Sequence, residues 1–454
     1  MAPRIVIIGG GSYQWVPKLV IDLVNTASLA QAEIVLHDID PAPLPEMQAF
    51  VEHIAELKGV PMRASATTDR ARALEGADFV VVTISTGGFA SMRHDLEIPV
   101  RFGIHQSVGD TVGPGGISRA LRNIPVLVDI ARDMERICPD AWLLNLTNPM
   151  TTLCRAVTRT TNVRTIGLCH ELLLAHFTLA QLLEANFMGF EFDLVGVNHL
   201  PFITGFRVDG DDGFTALRAL LDDERRLAEP VGLPQVFGHD PARGPFVKRD
   251  LLRMNQVKLA LFGRFGVWPG AGDRHLVEFF PGFLTEASEW GKAWGVELTT
   301  IADRERDAGS HKKELARLRS VTEVPVLPSG EIVAPLIDAF LLDIPRTFPL
   351  NLPNRGQAPD LPNDVVVETM GMTDGADVRG VAPVHAPPLL AEWLRRVIAS
   401  QERTVDAASS GQRDQVVEAM LLDPFAGRGD FSQLVEMVDQ LLDATAEWLP
   451  QFAS

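Results

Sequence analysis

Residues 4–8 (RIVII) are a continuous β-branched run, the pattern of a strand buried on both faces of a parallel sheet. Gly9, Gly10, Gly11 and Ser12 follow, and then Val16, Leu19, Val20, Leu23 and Val24 recur at helical spacing. Residues 33–37 (EIVLH) read as a second buried strand, ended by Asp38. Strand-like runs recur near 62–67, 79–84, 142–145, 164–168 and 193–197, with helical patterns between several of them, notably 119–136 and 171–186. Strands alternating with helices predict a doubly wound parallel α/β sheet. Beyond about residue 200 the character changes. Residues 214–228, 245–265 and 283–317 read as helices, a Pro-rich stretch spans 345–363, a strand is expected at 364–370, and helices at 388–409, 411–421 and 430–447 close the chain. The expectation is a nucleotide-binding domain over 1–198 and a second α+β domain over 199–454 for substrate binding and oligomerisation. The substrate site then lies at the carboxyl ends of the first domain's strands, capped by the second.

Composition narrows the partners. The 454 residues are 46% hydrophobic and 22% charged, ordinary values that argue against long disorder. A formal net charge of -18 argues against nucleic acid or an anionic membrane as partner. Cys138, Cys154 and Cys169 are the only cysteines, too few for a disulfide framework, so a reducing compartment fits. The chain runs straight into its first strand without a charged-then-apolar leader, and no apolar run approaches the ~18 residues of a membrane span. A cytoplasmic protein is expected.

Gly9 and Gly11 stand at a strand-to-helix turn, where glycine lets the backbone approach a pyrophosphate and the helix N-terminus supplies amides and positive dipole. Asp38, ending the second strand, suits the two ribose hydroxyls and favours NAD over its 2′-phosphorylated form. Ser12 and Tyr13 complete the turn, although Gln14 occupies the third glycine position. The alternative is an α/β turn that binds no nucleotide. Ser85 lies in a loop (Thr83 to Gly88) that runs beside the cofactor in such folds, with Arg93 just beyond.

Residues 109–116 (GDTVGPGG) surround Asp110 with glycine, a composition that suggests tight bending or close approach to a ligand. Asn148, extended before Pro149, can turn its amide toward nicotinamide and substrate. Cys169-His170-Glu171 ends the next strand and Asn198-His199 the one after. One Cys and one His with open positions suit a divalent transition metal that also holds substrate oxygens. Read locally, the alternatives are a surface ion pair for Arg93, a turn residue for Asp110, an inert core thiol for Cys169 and a satisfied buried histidine for His199.

Taken in order, GGGS at 9–12, VGDTVGPGGISRALRNIP at 108–125, NLTNP at 145–149, CHE at 169–171, GVNH at 196–199 and GDRHLVEFFP at 272–281 resemble glycoside hydrolase family 4, the NAD-dependent glycosidases. The resemblance covers nearly the whole chain. It implies a lactate/malate-dehydrogenase-like Rossmann fold and a reaction in which NAD oxidises sugar carbon 3, a base removes the carbon 2 proton, the aglycone is eliminated, water adds and the hydride returns. By position it implies Cys169 and His199 as ligands of a divalent metal, manganese by preference. It places Asn148, Arg93 and Arg274 on the substrate side, and Asp110 or His170 as leaving-group acid. Several members use a tyrosine as the carbon 2 base, but the only tyrosine here is Tyr13. Lys258 is the nearest replacement on the matching helix, with a solvated helix lysine as its bland alternative, and Asp273 is a second candidate. The motif variants resemble the branch acting on acidic sugars, galacturonides or glucuronides, or the related sulfoquinovosidases. A galactosidase or glucosidase of the same mechanism, a net hydroxy-acid or sugar dehydrogenase, and a nucleotide sensor are the competing readings. A small-molecule glycoside is the expected partner, with a homodimer or homotetramer as the assembly.

Overall fold

In the computed structural model, residues 2–233, 244–326, 329–375 and 377–453 are described, and their strands join one sheet. The first buried runs form β1 (Arg4–Ile8), β2 (Glu33–His37), β3 (Arg63–Thr67), β4 (Phe79–Val82), β5 (Trp142–Asn145) and β6 (Arg164–Gly167). They pair in parallel in the order β3-β2-β1-β4-β5-β6. That is the doubly wound Rossmann order, with its switch between β1 and β4, beside which dinucleotides bind. Period-two alternation explains the unbroken apolar runs. Val6 and Ile8 enter the core on one face of the sheet while Ile5 and Ile7 enter the core on the other.

The second half extends this sheet. β7 (Phe190–Val197) and β8 (Leu200–Val208) form an antiparallel hairpin that carries the short β9 (Asp211–Asp212), and β10 (Trp268–Pro269) pairs with β8. β11 (Arg346–Pro353) joins β6 to β12 (Val366–Thr373), which pairs with both β7 and β13 (Val378–Gly380). The run at 193–197 is therefore antiparallel and not a further parallel strand. Two residues, Asn198 and His199, connect it to β8, and so tight a connection permits only an antiparallel pair. The boundary expected at 198/199 falls in that turn. β11 lies in the Pro-rich stretch read as a separator. It meets β6 only at Asn351↔Gly167, so along most of its length it needs one partner, which tolerates Pro349 and Pro353.

Helix expectations hold where the apolar stripe is continuous. Gly113–Ile137, Glu171–Leu183, Pro388–Ser410, Arg413–Leu422 and Phe431–Ala444 are helices. The 245–265 segment breaks at Asn255 into Lys248–Arg253 and Gln256–Phe265. The 283–317 segment holds only short 3-10 turns before its α-helix begins at Ile301, where Thr300 accepts a capping bond from the Asp303 amide. Helix Gly88–Val100 is fastened to Gly113–Ile137 by Arg122, whose two terminal nitrogens reach Asp95 at 2.9 and 2.6 Å with both side chains fully buried.

Candidate active site

The turn after β1 is built around glycine. The amides of Gly9 and Gly10 donate to the His37 carbonyl at 2.9 and 2.8 Å, bringing β1 and β2 together at their carboxyl ends. Gly9 has φ +92°, and a Cβ there would run into the Thr83 carbonyl. A Cβ on Gly11 would run into Pro43 and the Asp38 carboxylate, which accepts the Gly11 amide at 2.9 Å. Ser12 Oγ accepts the Trp15 amide at 3.2 Å, and Tyr13 donates its hydroxyl to Glu46 at 3.1 Å beneath the ammonium of Lys312. The residues present fit a dinucleotide: a glycine cradle, helix Val16–Asn25 behind it, and a carboxylate at the end of β2.

Further along the same edge, the amides of Val108 and Gly109 donate to one oxygen of Glu278 at 2.8 and 2.9 Å, and the Gly113 amide donates to Asp423 at 3.0 Å. The glycine-dense loop is thus held from both ends, and it presents Asp110. The hydroxyl of Thr111 stands 2.6 Å from Asp110 Oδ1 and 2.9 Å from His199 Nδ1. One hydroxyl proton cannot serve both. If it goes to the carboxylate, His199 donates from Nδ1 and keeps a lone pair on Nε2. His199 is held at φ 63° by the β7–β8 turn and stacks on His275 with ring centroids 3.8 Å apart.

Donor atoms of Asp110, His199 and His275 all lie within 4.8 Å of one another, the one such grouping of metal-ligating side chains among the described residues. Burial lowers the His199 imidazole to about 3 and also lowers His275, so both are neutral near neutrality. Burial alone would raise Asp110. Coupling to His199 and His275, which would have to be protonated to matter, and to the guanidinium groups of Arg119 and Arg304 instead holds it well below the usual carboxylate range, and near neutrality the two arginines are the charges that favour its ionised form. An ionised carboxylate and two neutral imidazoles form a donor set suited to a divalent transition metal. So ionised a carboxyl is also a poor proton donor at neutral pH, which sits badly with Asp110 as leaving-group acid.

Cys169 is outside this trio. Its buried thiol lies beside Asn198, and burial with the nearby carboxylates of Glu368 and Glu171 pushes it well above its ordinary value. Only His199 is common to the expected Cys169/His199 pair and the observed grouping. His170 is half exposed and sets Nδ1 3.1 Å from the buried Glu331 carboxylate, whose bond raises the imidazole. Asn148 precedes a cis bond to Pro149. Its carbonyl accepts Arg119 Nε at 3.0 Å, while its own Oδ1 is buried without a partner. Arg119 also donates to Ser85 Oγ at 3.1 Å. Lys258 is buried, not solvated. It donates to Asn255 Oδ1 at 3.0 Å, and burial lowers its ammonium while Asp273 and Glu171 oppose the shift. Asp273 is turned to the start of helix Gln256–Phe265, accepting the amides of Val257 and Lys258 at 2.8 and 3.1 Å.

The two arginines expected on the substrate side are otherwise engaged. Arg93 makes exposed ion pairs with Glu97 and Glu305, and Arg274 is exposed and donates to Thr299 at 2.8 Å. Sequence reasoning missed His275 and Arg119, although both stand in the quoted motifs GDRHLVEFFP and GISRALRNIP. Arg304 carried no signal at all, because its helix reads as a charged, solvated one.

A model described as family 4 glycosyl hydrolase matches residues 4–185, and the C-terminal-domain model of the same family matches 194–426. The chain is 32% identical to an α-galactosidase of Bacillus subtilis, covering 99% of each chain. It is 31% identical to an α-galacturonidase of Thermoanaerobacterium saccharolyticum, covering 96% of each. Among solved structures, the lplD protein of Bacillus subtilis superposes with TM-score 0.85 at 28% identity, over 97% of this chain and all of that one. A 6-phospho-β-glucosidase from Thermotoga maritima, solved with manganese, NAD+ and glucose-6-phosphate, superposes with TM-score 0.78 at 21% identity, over 98% of this chain and 99% of that one. A lactate dehydrogenase from Eimeria maxima shares the fold at TM-score 0.51 and 14% identity, over 90% and 98%.

Proposed function

The chain belongs to family 4 of the glycosyl hydrolases and is a glycosidase, and from that premise we propose that it cleaves α-glycosides of an anionic sugar, a uronide or a sulfoquinovoside, with NAD retained as a catalytic cofactor. The observation that carries the reading is a set of buried polar atoms left without partners around Asp110: Asn148 Oδ1, His275 Nδ1, Arg304 Nε and Glu278 Oε2. Unpaired buried donors and acceptors are costly, and at a shared site they mark the place of a polar ligand. Positive charge on Arg119 and Arg304 beside them supports an anionic one.

Bound NAD would supply reversible oxidation at the sugar ring, and a divalent cation would supply stabilisation of the charge that follows. The chain's own residues hold these groups and move protons. Gly9, Gly11, Ser12, Tyr13 and Asp38 would cradle the dinucleotide, with Ser85 and Asn148 toward the nicotinamide. Asp110, His199 and His275 would hold the cation, with manganese the first metal to test. Cys169 is retained as a competing ligand. Asn148 presents its free Oδ1 to sugar hydroxyls. His170, half exposed and seated on Glu331, is the leaving-group acid we favour, and Lys258 is the carbon 2 base. Arg93 and Arg274 are assigned to the rim.

The identity to an α-galactosidase supports a second reading, a neutral galactoside cleaved in the same way. A panel of 4-nitrophenyl uronide, sulfoquinovoside, galactoside and 6-phosphoglucoside substrates separates the readings, each with NAD and with or without manganese. Preference for the neutral galactoside would overturn the anionic assignment. No helix among the described residues is long and apolar enough to cross a membrane. Exposed Leu341, Leu342, Ile344 and Leu389 support a homodimer or homotetramer.

A further inference from the structure

An anionic sugar needs a cation whose donors are not already used. Among the arginines around the loop 108–116, Arg122 is closed into its pair with Asp95, Arg119 donates to Asn148 and Ser85, Arg274 donates to Thr299, and Arg93 is paired with two glutamates. Arg304 is different. It rises from the first turn of helix Ile301–Leu318, its Nε is buried without a partner, and among the described residues it has no ion pair. Its one bond joins Nη2 to the Val108 carbonyl at 3.5 Å, the far limit of such a bond. Its charge bears on Asp110, His275 and Arg119, so it belongs to the same site.

We propose that Arg304 is the specificity-determining residue of this enzyme, receiving the carboxylate or sulfonate of the sugar on its Nε–Nη2 edge. A guanidinium edge offers two parallel N–H donors, the arrangement that matches two oxygens of such a group. The carbonyl it touches belongs to the loop that carries Asp110, so the anion is read beside the catalytic cluster and not at the rim where Arg93 and Arg274 stand. The assignment rests on the anionic-sugar reading.

The test compares wild type, Arg304→Met and Arg304→Lys, each loaded with NAD and manganese. The substrates are 4-nitrophenyl α-galacturonide, α-sulfoquinovoside and α-galactoside. Arg304→Met is expected to raise KM for the preferred anionic substrate about 100-fold, the size of a lost charge-assisted pair, with kcat changed only a few-fold. The loss on galactoside is expected to be at least tenfold smaller, and Arg304→Lys intermediate. Uronide against sulfoquinovoside tells carboxylate from sulfonate. Calorimetry with free galacturonate and galactose gives the same comparison without turnover. Should Arg304→Met fail to fold, a selective KM rise in Arg304→Lys decides the matter. Equal losses on anionic and neutral substrates, or a fall in kcat alone, would overturn the assignment while leaving the anionic reading intact. A wild-type enzyme that prefers galactoside would overturn both.

Discussion

His199 and His275 lie face to face, ring centroids 3.8 Å apart and planes 27° apart, with Asp110 close enough that one donor from each shares a small space. Burial keeps both imidazoles neutral, and where Thr111 donates to Asp110 the first keeps its proton on Nδ1 and a lone pair on Nε2. Manganese titrated into the NAD-loaded protein should therefore bind at least tenfold more weakly to His199→Ala, His275→Ala and Asp110→Asn, as for loss of a ligand. Cys169→Ser should bind within about threefold of wild type if the trio holds the ion, since the thiol lies outside that grouping. A large loss in Cys169→Ser with a silent His275→Ala would return the site to the Cys169/His199 pair.

Glu278 places a carboxyl in the core, raised to about 7 by burial against the two backbone amides it receives. Its ordinary value, 4.5, is that of the unfolded chain. The folded state therefore binds the extra proton between these values, and the stability it confers is full below 4.5 and lost as pH rises through 7. Glu278→Gln keeps an oxygen for Val108 and Gly109 and cannot ionise. Its melting temperature should match wild type near pH 5 and exceed it by about a few degrees at pH 8. A constant difference across that range would show that Glu278 does not titrate there.

Much of the parallel half was legible because β1, β2, β4 and β5 are largely buried and so read as unbroken apolar runs, three of them ending at Gly9, Asp38 or Asn145. Asp38 and Asn148 could be found from their position after such a strand. β11 was not legible, because Pro349 and Pro353 argue against a strand unless most of its length has one partner, and that is a property of the assembled sheet. His275 could not be ranked above its neighbours, since its role comes from a stack on His199, 76 residues earlier in the chain by their numbers. Arg304 sits in an acidic and basic helix whose pattern says only that the helix is solvated, and its buried nitrogen is visible only once the loop at Val108 is in place.

Asp38 accepts the Gly11 amide and stands at the end of β2, where a ribose would approach. Asp38→Ala should weaken NAD binding about tenfold, measured by quenching of tryptophan fluorescence, and Asp38→Arg should shift preference toward the 2′-phosphorylated dinucleotide. Unchanged affinity in both variants would place the dinucleotide elsewhere.

In the proposed mechanism Lys258 would link cofactor and bond cleavage as the carbon 2 base. With Tyr13 committed to Glu46 in the dinucleotide turn, no tyrosine is available to take a proton from sugar carbon 2. Lys258 is buried beside Asp273 and Glu171, and burial lowers its ammonium, which raises the neutral fraction able to accept a proton. Its neighbour Asp273 accepts two backbone amides and has less freedom to act. Turnover in heavy water should place deuterium on carbon 2 with wild type. Lys258→Met should abolish that exchange and lower kcat by about 100-fold or more, while NAD affinity stays within about threefold. Asp273→Asn should retain measurable exchange. If Lys258→Met exchanges at the wild-type rate and Asp273→Asn does not, the base is Asp273.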